Sequence, residues 1–331
     1  MTLHAPRHQF QDYDDFLEQA YAKGWTDGMP VVPPTPDKVQ AFLDYLGMPP
    51  DEILGHVPTR EVTVTAEHVA VNAVMAGCRA EYMPIVVAAV RGFLEEKSHI
   101  HSTSGSLMGP AHLLIVNGPI RTELEINCKL GVFGPGFRAN ATIGRAVRLV
   151  IRNVMRGIPG FLDRATYSTA NRYSYCIGEN EEDSPWKPLH VERGYSPQDS
   201  TVTVFAVSET SIAGDDASRT PEGILDSLVM YTRRGGVTGD KWLGDNVNVI
   251  MVMGMEHMRY FAEAGWSKQQ MRDYMFPKLK EPIRPGEAAV RLGKPEGILI
   301  VAAGGHGMAD THILHPHLAW AITKPVEPRR R

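Results

Sequence analysis

Three cysteines, a glycine-rich loop, an acidic loop and a late group of histidines carry the reactive side chains of this chain. Cys78 follows Gly77 in a short connection between two apolar helical stretches, with Arg79 beside it. A thiol close to a helix N-terminus and next to a cation has its thiolate favoured, which is how nucleophilic cysteines are made. A small residue in such a turn is also ordinary packing, since free cysteine is among the most buried residue types. Cys176 ends an apolar run and is followed by Glu179, Glu181, Glu182, Trp186 and His190. That loop offers a nucleophile with carboxylates and an imidazole to move a proton, or a set of metal ligands. Acidic loops are more often solvated surface. Cys78, Cys128 and Cys176 lie about fifty residues apart, unlike a disulfide scaffold or a CxxC zinc site. Reduced thiols are expected, and three of them could still converge on an iron–sulfur cluster with one open iron, a Lewis acid for hydration and dehydration.

The segment FGPGFRANATIGRA is the best ligand-binding candidate. Gly134 and Gly136 can present free backbone amides ahead of a helix N-terminus, Arg138 and Arg145 add charge, and Asn140 and Thr142 can orient an anion. It is neither GxGxxG nor a P-loop, so a carboxylate or single phosphate is the expected guest. The alternative is a tight turn with Asn140 as a helix cap. Downstream, GGHGMADTHILHPH gathers His306, Asp310, His312, His315 and His317, a possible divalent-ion set without the HExxH logic. Surface histidines are the commoner outcome, except at His306, where a preceding strand and glycine turn would aim the ring at a sheet rim.

These residues need elements to hold them. Phe10, Tyr13, Phe16, Leu17, Ala20 and Tyr21 keep helical spacing up to Gly24, and Thr35-Pro36-Asp37 opens a helix to Leu46. Thr65 and Gly77 bracket the helix AEHVAVNAVMAG, and another runs from near Pro84. HLLIVNG, YSYCI, TVTVFAV, VNVIMVM and GILIVAAGG read as strands, separated by helices that start near Asn140, at Thr220-Pro221 and at Ser267. Three of those strands end in similar glycine turns, a recurrent device that places Asn117, His257 and His306 on one rim if the strands share a sheet. The expected fold is α/β, with largely parallel or mixed sheets flanked by helices, in two lobes. The N-terminal α/β lobe, residues 1–195, would hold Cys78, the anion loop 133–141 and the acidic loop 179–190. The C-terminal α/β lobe would span 196–331, joined near 194–200.

At 331 residues the chain is long enough for a proper core, and 43% apolar with 22% charged residues excludes collagen, coiled coil and wholesale disorder. A net charge of −4 leaves no bulk field for a polyanion, and Arg329, Arg330 and Arg331 read as a solvated tail, so no nucleic-acid partner is expected. The N-terminal residues lack a signal-peptide pattern and no apolar run approaches the roughly 20 residues that span a bilayer. A cytoplasmic protein without a membrane partner is the expectation.

Together GWTDGMPVVPPT, NAVMAGCRAEYMPIVVAAV, LLIVNGPI, FGPGFRANATIGRAVRLVIRN, CIGENEEDSPWKPLHVERG and ILIVAAGG resemble an uncharacterised bacterial family. Its members occur beside, or fused to, the small UGSC-type (seleno)protein domain. The resemblance covers most of the chain and implies that Trp25, Asp27, Cys78, Arg138, Asn140, Cys176, Glu179, Glu181, Trp186 and His190 lie in the family's motif segments. It carries no catalytic assignment, and this chain has no UGSC or CGSC sequence of its own. The expected function is a cysteine-dependent enzyme, a hydrolase or carbon–heteroatom lyase for a small anionic substrate. Cys78 or Cys176 would attack or donate and Glu179, Glu181 or His190 would move the proton, with Asn117, Trp186, His306 and the anion loop holding the substrate. The alternatives are a metal or iron–sulfur (de)hydratase built on Cys78, Cys128 and Cys176 or on His306, Asp310 and His312, and a non-enzymatic subunit that docks a UGSC-type thiol-redox partner. The cofactor and any homo-oligomer are left open.

Overall fold

The computed structural model describes residues 2–234, 247–282, 290, 292–318 and 320–329; Arg330 and Arg331 lie outside the described residues. Local signals set most helix ends. Asp12 caps α1 (Tyr13–Ala22) by accepting the Asp15 N–H. α2 (Pro36–Leu46) begins on a proline, where no intrahelical N–H is needed, and stops at left-handed Gly47. A hairpin, β1 (Ile53–Val57) and β2 (Val62–Thr65), leads into α3 (Ala66–Ala76), which Thr65 and His68 open with a reciprocal capping box. α4 (Met83–Leu94) and the short α5 (Ile100–Thr103) complete this helical layer.

The chain then turns to strands. β3 (Ala111–Asn117) is buried along its whole length, and the short α6 (Ile120–Glu123) and α7 (Arg138–Leu149) follow it. α7 runs directly into a π-helical turn, Val150–Val154. β4 (Cys176–Gly178) keeps only the end of YSYCI, and α8 (Leu189–Glu192) is a single turn. β5 (Thr201–Gly214) extends seven residues beyond the run TVTVFAV. α9 (Pro221–Arg234), β6 (Val249–Met253), α10 (Met255–Glu263), α11 (Lys268–Lys280) and β7 (Ile298–Ala302) follow the expected order. Two further strands, β8 (Asp310–Pro316) and β9 (Ile322–Pro325), end the sheet, so the histidine-rich tail is largely strand.

The strands form one mixed seven-stranded sheet in the order β4-β3-β5-β8-β6-β7, with β9 also on β5. Each half repeats one arrangement. β3 has β4 as its parallel outer neighbour and β5 as its antiparallel inner one, and β6 stands in the same relation to β7 and β8. Segment 194–200 leads straight into β5, whose first half pairs with β3 and β9 and whose second half pairs with β8. One strand therefore belongs to both halves.

Alternate residues of these strands face different cores, which is why the runs read as continuously apolar. Leu114, Val116, Cys176, Val202 and Val204 pack outward on α1 to α4 and α7. Met251, Met253, Ile300 and Ile313 pack on α9 to α11. Leu113, Ile115, Ile177, Phe205, Val252 and Val301 form a third core inside the curl of the sheet, where each aliphatic side chain contributes about 1.5–3 kcal/mol by burial. The curl brings the two edge strands together at their carboxyl ends. The Asn180 N–H donates to the Ala302 carbonyl at 2.7 Å and the Gly304 N–H to that of Cys128 at 2.9 Å. No helix of the described residues is long and apolar enough to cross a membrane.

Candidate functional site

Beyond the ends of the parallel pair β3 and β4, the acidic loop folds back on the rim. Glu179 is fully buried. Its Oε2 accepts from Asn117 Nδ2 at 2.6 Å and the Leu189 N–H at 2.8 Å, and Lys268 Nζ lies 3.8 Å from Oε1. Burial is the largest influence on this carboxyl and moves its pKa up, against the pull of Lys268 and the hydrogen bonds from Leu189 and Asn117. Glu181 accepts from Asn117 Nδ2 at 2.9 Å and from the Gly118 N–H at 2.8 Å. Gly118 sits at φ +82°, and a Cβ there would lie 2.1 Å from the Asp199 carbonyl oxygen, so only glycine makes this turn. Lys268 also reaches Glu192 at 3.0 Å, and Arg272 grips Glu192 with two nitrogens at 2.9 and 3.1 Å. The result is a closed ionic network between the acidic loop and α11. His190 is fully buried with neither ring nitrogen hydrogen-bonded, so it is not joined to these carboxylates. Trp186 donates its indole N–H to the Trp266 carbonyl at 2.8 Å and packs against the C-terminal helical core.

The thiols take the buried packing environment that was the alternative to a reactive one. Cys78 directly follows the C-terminal cap of α3, donating its N–H to the Ala73 carbonyl, and α4 starts only at Met83. The negative end of α3 and the positive end of a 3-10 turn, Ala80–Tyr82, which runs on into α4, both lie beside it, so the helix dipoles do not decide its charge. Cys78 is buried, its Sγ bonds the Thr142 carbonyl at 3.3 Å, and desolvation pushes its pKa up to about 12 despite Arg138 and Arg145. Burial raises Cys176 further, and the neighbouring Cys78 adds to the rise. Burial also raises Cys128, although Arg121 lies 3.4 Å from its sulfur and opposes the shift. In the native protein at pH 8, Cys78 and Cys176 should therefore react with iodoacetamide at least about tenfold more slowly than a free thiol, recovering full reactivity in guanidinium. Equal rates before and after unfolding would show an accessible thiolate. Among the described residues no group of three His, Cys, Asp or Glu side chains is placed to hold a metal ion, so neither expected ligand set fits one. His306 is exposed, 3.3 Å from Glu256, and His312 lies 3.8 Å from Asp310.

Both arginines of the expected anion loop bond to protein groups, and Arg145 is neutralised by a carboxylate. Arg138 donates to the Gly77 carbonyl at 3.1 Å through Nη2, and Arg145 grips both oxygens of Asp27 at 2.8 and 2.9 Å and the Pro30 carbonyl at 2.8 Å. α7 begins at Arg138, two residues before Asn140, so Asn140 does not cap it. Instead Asn140 is buried and ties Asn127 to the Cys176 carbonyl, and Thr142 donates to the Arg138 carbonyl at 2.8 Å. Gly134 and Gly136 stay exposed on the surface. Here Asn140 and Arg145 serve the fold.

A cavity of about 810 Å³ opens instead at the far end of α7. Its walls include Arg148, Arg152, Arg164 and Arg172 against Asp27 and Asp163, a surplus of two positive charges. Asp163 is buried and holds Arg172 at 2.6 Å and Arg148 at 3.5 Å. Asp27 is occupied by Arg145. Arg152 is braced by the Thr26 carbonyl at 2.8 Å and the Gly24 carbonyl at 3.0 Å, so the GWTDG segment fixes its direction. Arg148 is 9% exposed, and its Nη1, like Arg172 Nε, is buried without a hydrogen-bond partner. Burial, reinforced by the charge of Arg172, lowers Arg148 to about 9, which still leaves it a cation at neutral pH. The same field reaches His112 beneath, whose burial together with Arg148 and Arg172 holds the imidazole well below its usual range. The backbone around the cavity is irregular: Arg152 belongs to the π-turn, and Arg156 and Ser168 take φ +59° and +72°. π-turns and non-glycine left-handed residues concentrate at functional sites because surrounding contacts must hold them.

One sequence signal pointed here. Arg145, Arg148 and Arg152 are spaced by three and four along one helix, a basic stripe beside the apolar one. Arg172 and Asp163 come from a loop with no periodic pattern. The chain matches no family model, no curated protein and no solved structure.

Proposed function

We propose that the protein binds a small anionic substrate, a carboxylate or phosphate compound, in the arginine-lined cavity. There fixed guanidinium groups stabilise negative charge in a hydrolytic or carbon–heteroatom cleavage reaction. The observation that carries the reading is the pair of buried, unpartnered guanidinium nitrogens on Arg148 and Arg172 in a wall with excess positive charge. A buried donor without a partner is costly, and an anion that accepts from it recovers the lost hydrogen bond in a charge-assisted form. Guanidiniums held by Asp163, Thr26 and Gly24 before substrate arrives need little reorganisation as charge develops. A thiolate step finds no support in cysteines whose pKa values rise on burial.

In a low-salt buffer, millimolar phosphate or sulfate should raise the melting temperature, with the gain shrinking as sodium chloride is added. Arg172→Gln should remove most of the shift, while Arg138→Ala at the exposed start of α7 should retain it. A shift lost with Arg138 and kept with Arg172→Gln would move the anion to the glycine loop.

A further inference from the structure

The same cavity also bears on the rest of the ligand. An inorganic oxyanion or a two-carbon acid fills only a small part of about 810 Å³, a volume that in proteins accommodates a drug-sized molecule. The guanidinium groups of Arg148 and Arg172 meet at Asp163, while Arg152, Arg164 and Asp27 add charge elsewhere in the wall. Part of the remaining lining is of another kind. Pro159, Ala165, Ala170, Tyr167 and Tyr173 present carbon rather than charge. Tyr167 is 94% exposed and Tyr173 is half-exposed, and neither ring has an aromatic partner among the described residues apart from what a ligand would offer. Phe161, Leu107 and Met108 stand exposed nearby, and the Thr166 N–H bonds the Leu107 carbonyl at 2.9 Å, tying that segment to the cavity loop. Exposed aromatics on a cavity lined by arginines suit a flat guest, because tyrosine faces and guanidinium planes both stack on rings.

We infer that the ligand is an amphipathic organic acid, a carboxylate or phosphate joined to a flat aromatic or conjugated body, with its acid group against Arg148 and Arg172 and its ring against Tyr167 and Tyr173. The inference rests on the anion-binding reading above and adds the body to the head group. The shared chemistry covers aryl carboxylates, aryl phosphates and mononucleotides.

Calorimetric titration of the full chain with inorganic phosphate, phenyl phosphate and butyl phosphate at low salt tests it. Phenyl phosphate should bind at least about tenfold more tightly than inorganic phosphate and more tightly than butyl phosphate, a gap typical of one stacked ring. The double variant Tyr167→Ser with Tyr173→Ser should collapse that ratio towards one, and Tyr167→Phe with Tyr173→Phe should preserve it. Equal affinity for phenyl and inorganic phosphate would overturn the aromatic body while leaving the anion site in place. Butyl phosphate binding as tightly as phenyl phosphate would replace the flat body with an aliphatic one and overturn the inference. Binding of none of the three would overturn the anion reading and this inference with it.

Discussion

Arg148→Met is expected to leave the ligand-free protein as stable as the parent or more so, and to weaken anion binding by about ten- to a hundredfold, the scale of a lost hydrogen bond to a charged group. The two effects have one origin. Arg148 is a buried cation whose carboxylate partner Asp163, at 3.5 Å, already holds Arg172 at 2.6 Å, so its desolvation is poorly compensated without a ligand. Its depressed pKa, caused first by burial and then by the charge of Arg172, expresses the same mismatch. Methionine keeps most of the volume and removes the charge, and Asp163 keeps Arg172 as its counter-ion, so the substitution leaves no buried carboxylate unpaired. Melting curves with and without phosphate read both outcomes. A strongly destabilised variant that keeps its phosphate shift would make Arg148 a structural counter-ion for Asp163 and nothing more.

Glu179→Ala is expected to produce the largest loss of stability, about 3–5 kcal/mol, because truncating one side of a buried ionic network leaves its partners uncompensated. The Leu189 N–H loses its acceptor, Lys268 loses one of two carboxylates, and Asn117 keeps only Glu181. Glu179→Gln retains an acceptor for Leu189 and should be clearly less damaging. The two proteins should also differ in their pH dependence. Burial raises the folded pKa of Glu179 above its unfolded value near 4.5, so the folded state binds the extra proton between those two values. Its contribution is complete below the unfolded pKa and is lost as pH rises through the folded one. The stability of the parent relative to Glu179→Gln should therefore fall as pH increases from 4.5. Denaturant titrations at several pH values measure this, and a difference that grows with pH would mean that Lys268 holds the carboxylate ionised at low pH.

Much of the fold was legible because its signals are local. Thr65 with Gly77, Pro36 with Gly47, and Ser267 with Gln270 mark helix ends within a few residues of themselves, and the structure places caps at all three. The buried runs of β3, β6 and β7 were legible for the same reason, as strands covered on both faces cannot alternate with polar residues. Other elements gave weaker signals. The hairpin of β1 and β2 is short and half-exposed, β8 is broken by histidines, and nothing in the local pattern distinguishes a π-turn at Val150–Val154 from another turn of α-helix.

By itself the sequence determined an α/β chain with these helix caps and buried strands, the glycine turn at Gly118, and acidic residues that do gather beyond β3 and β4. Tertiary structure alone decided which charges remain free. Arg145 follows the glycine loop in sequence but is paired with Asp27, 118 residues away, while Arg138 leans on the Gly77 carbonyl, 61 residues away, and keeps its charge. Arg148 and Arg172 approach one another only because loop 158–173 folds across the end of α7 onto Asp163. The surroundings of the thiols were decided in the same way, since the packing of α3, α7 and β4 buries Cys78 and Cys176 and raises their pKa values. Helix and strand propensity act through neighbours a few residues apart, whereas desolvation and ion pairing depend on every segment that closes over a group.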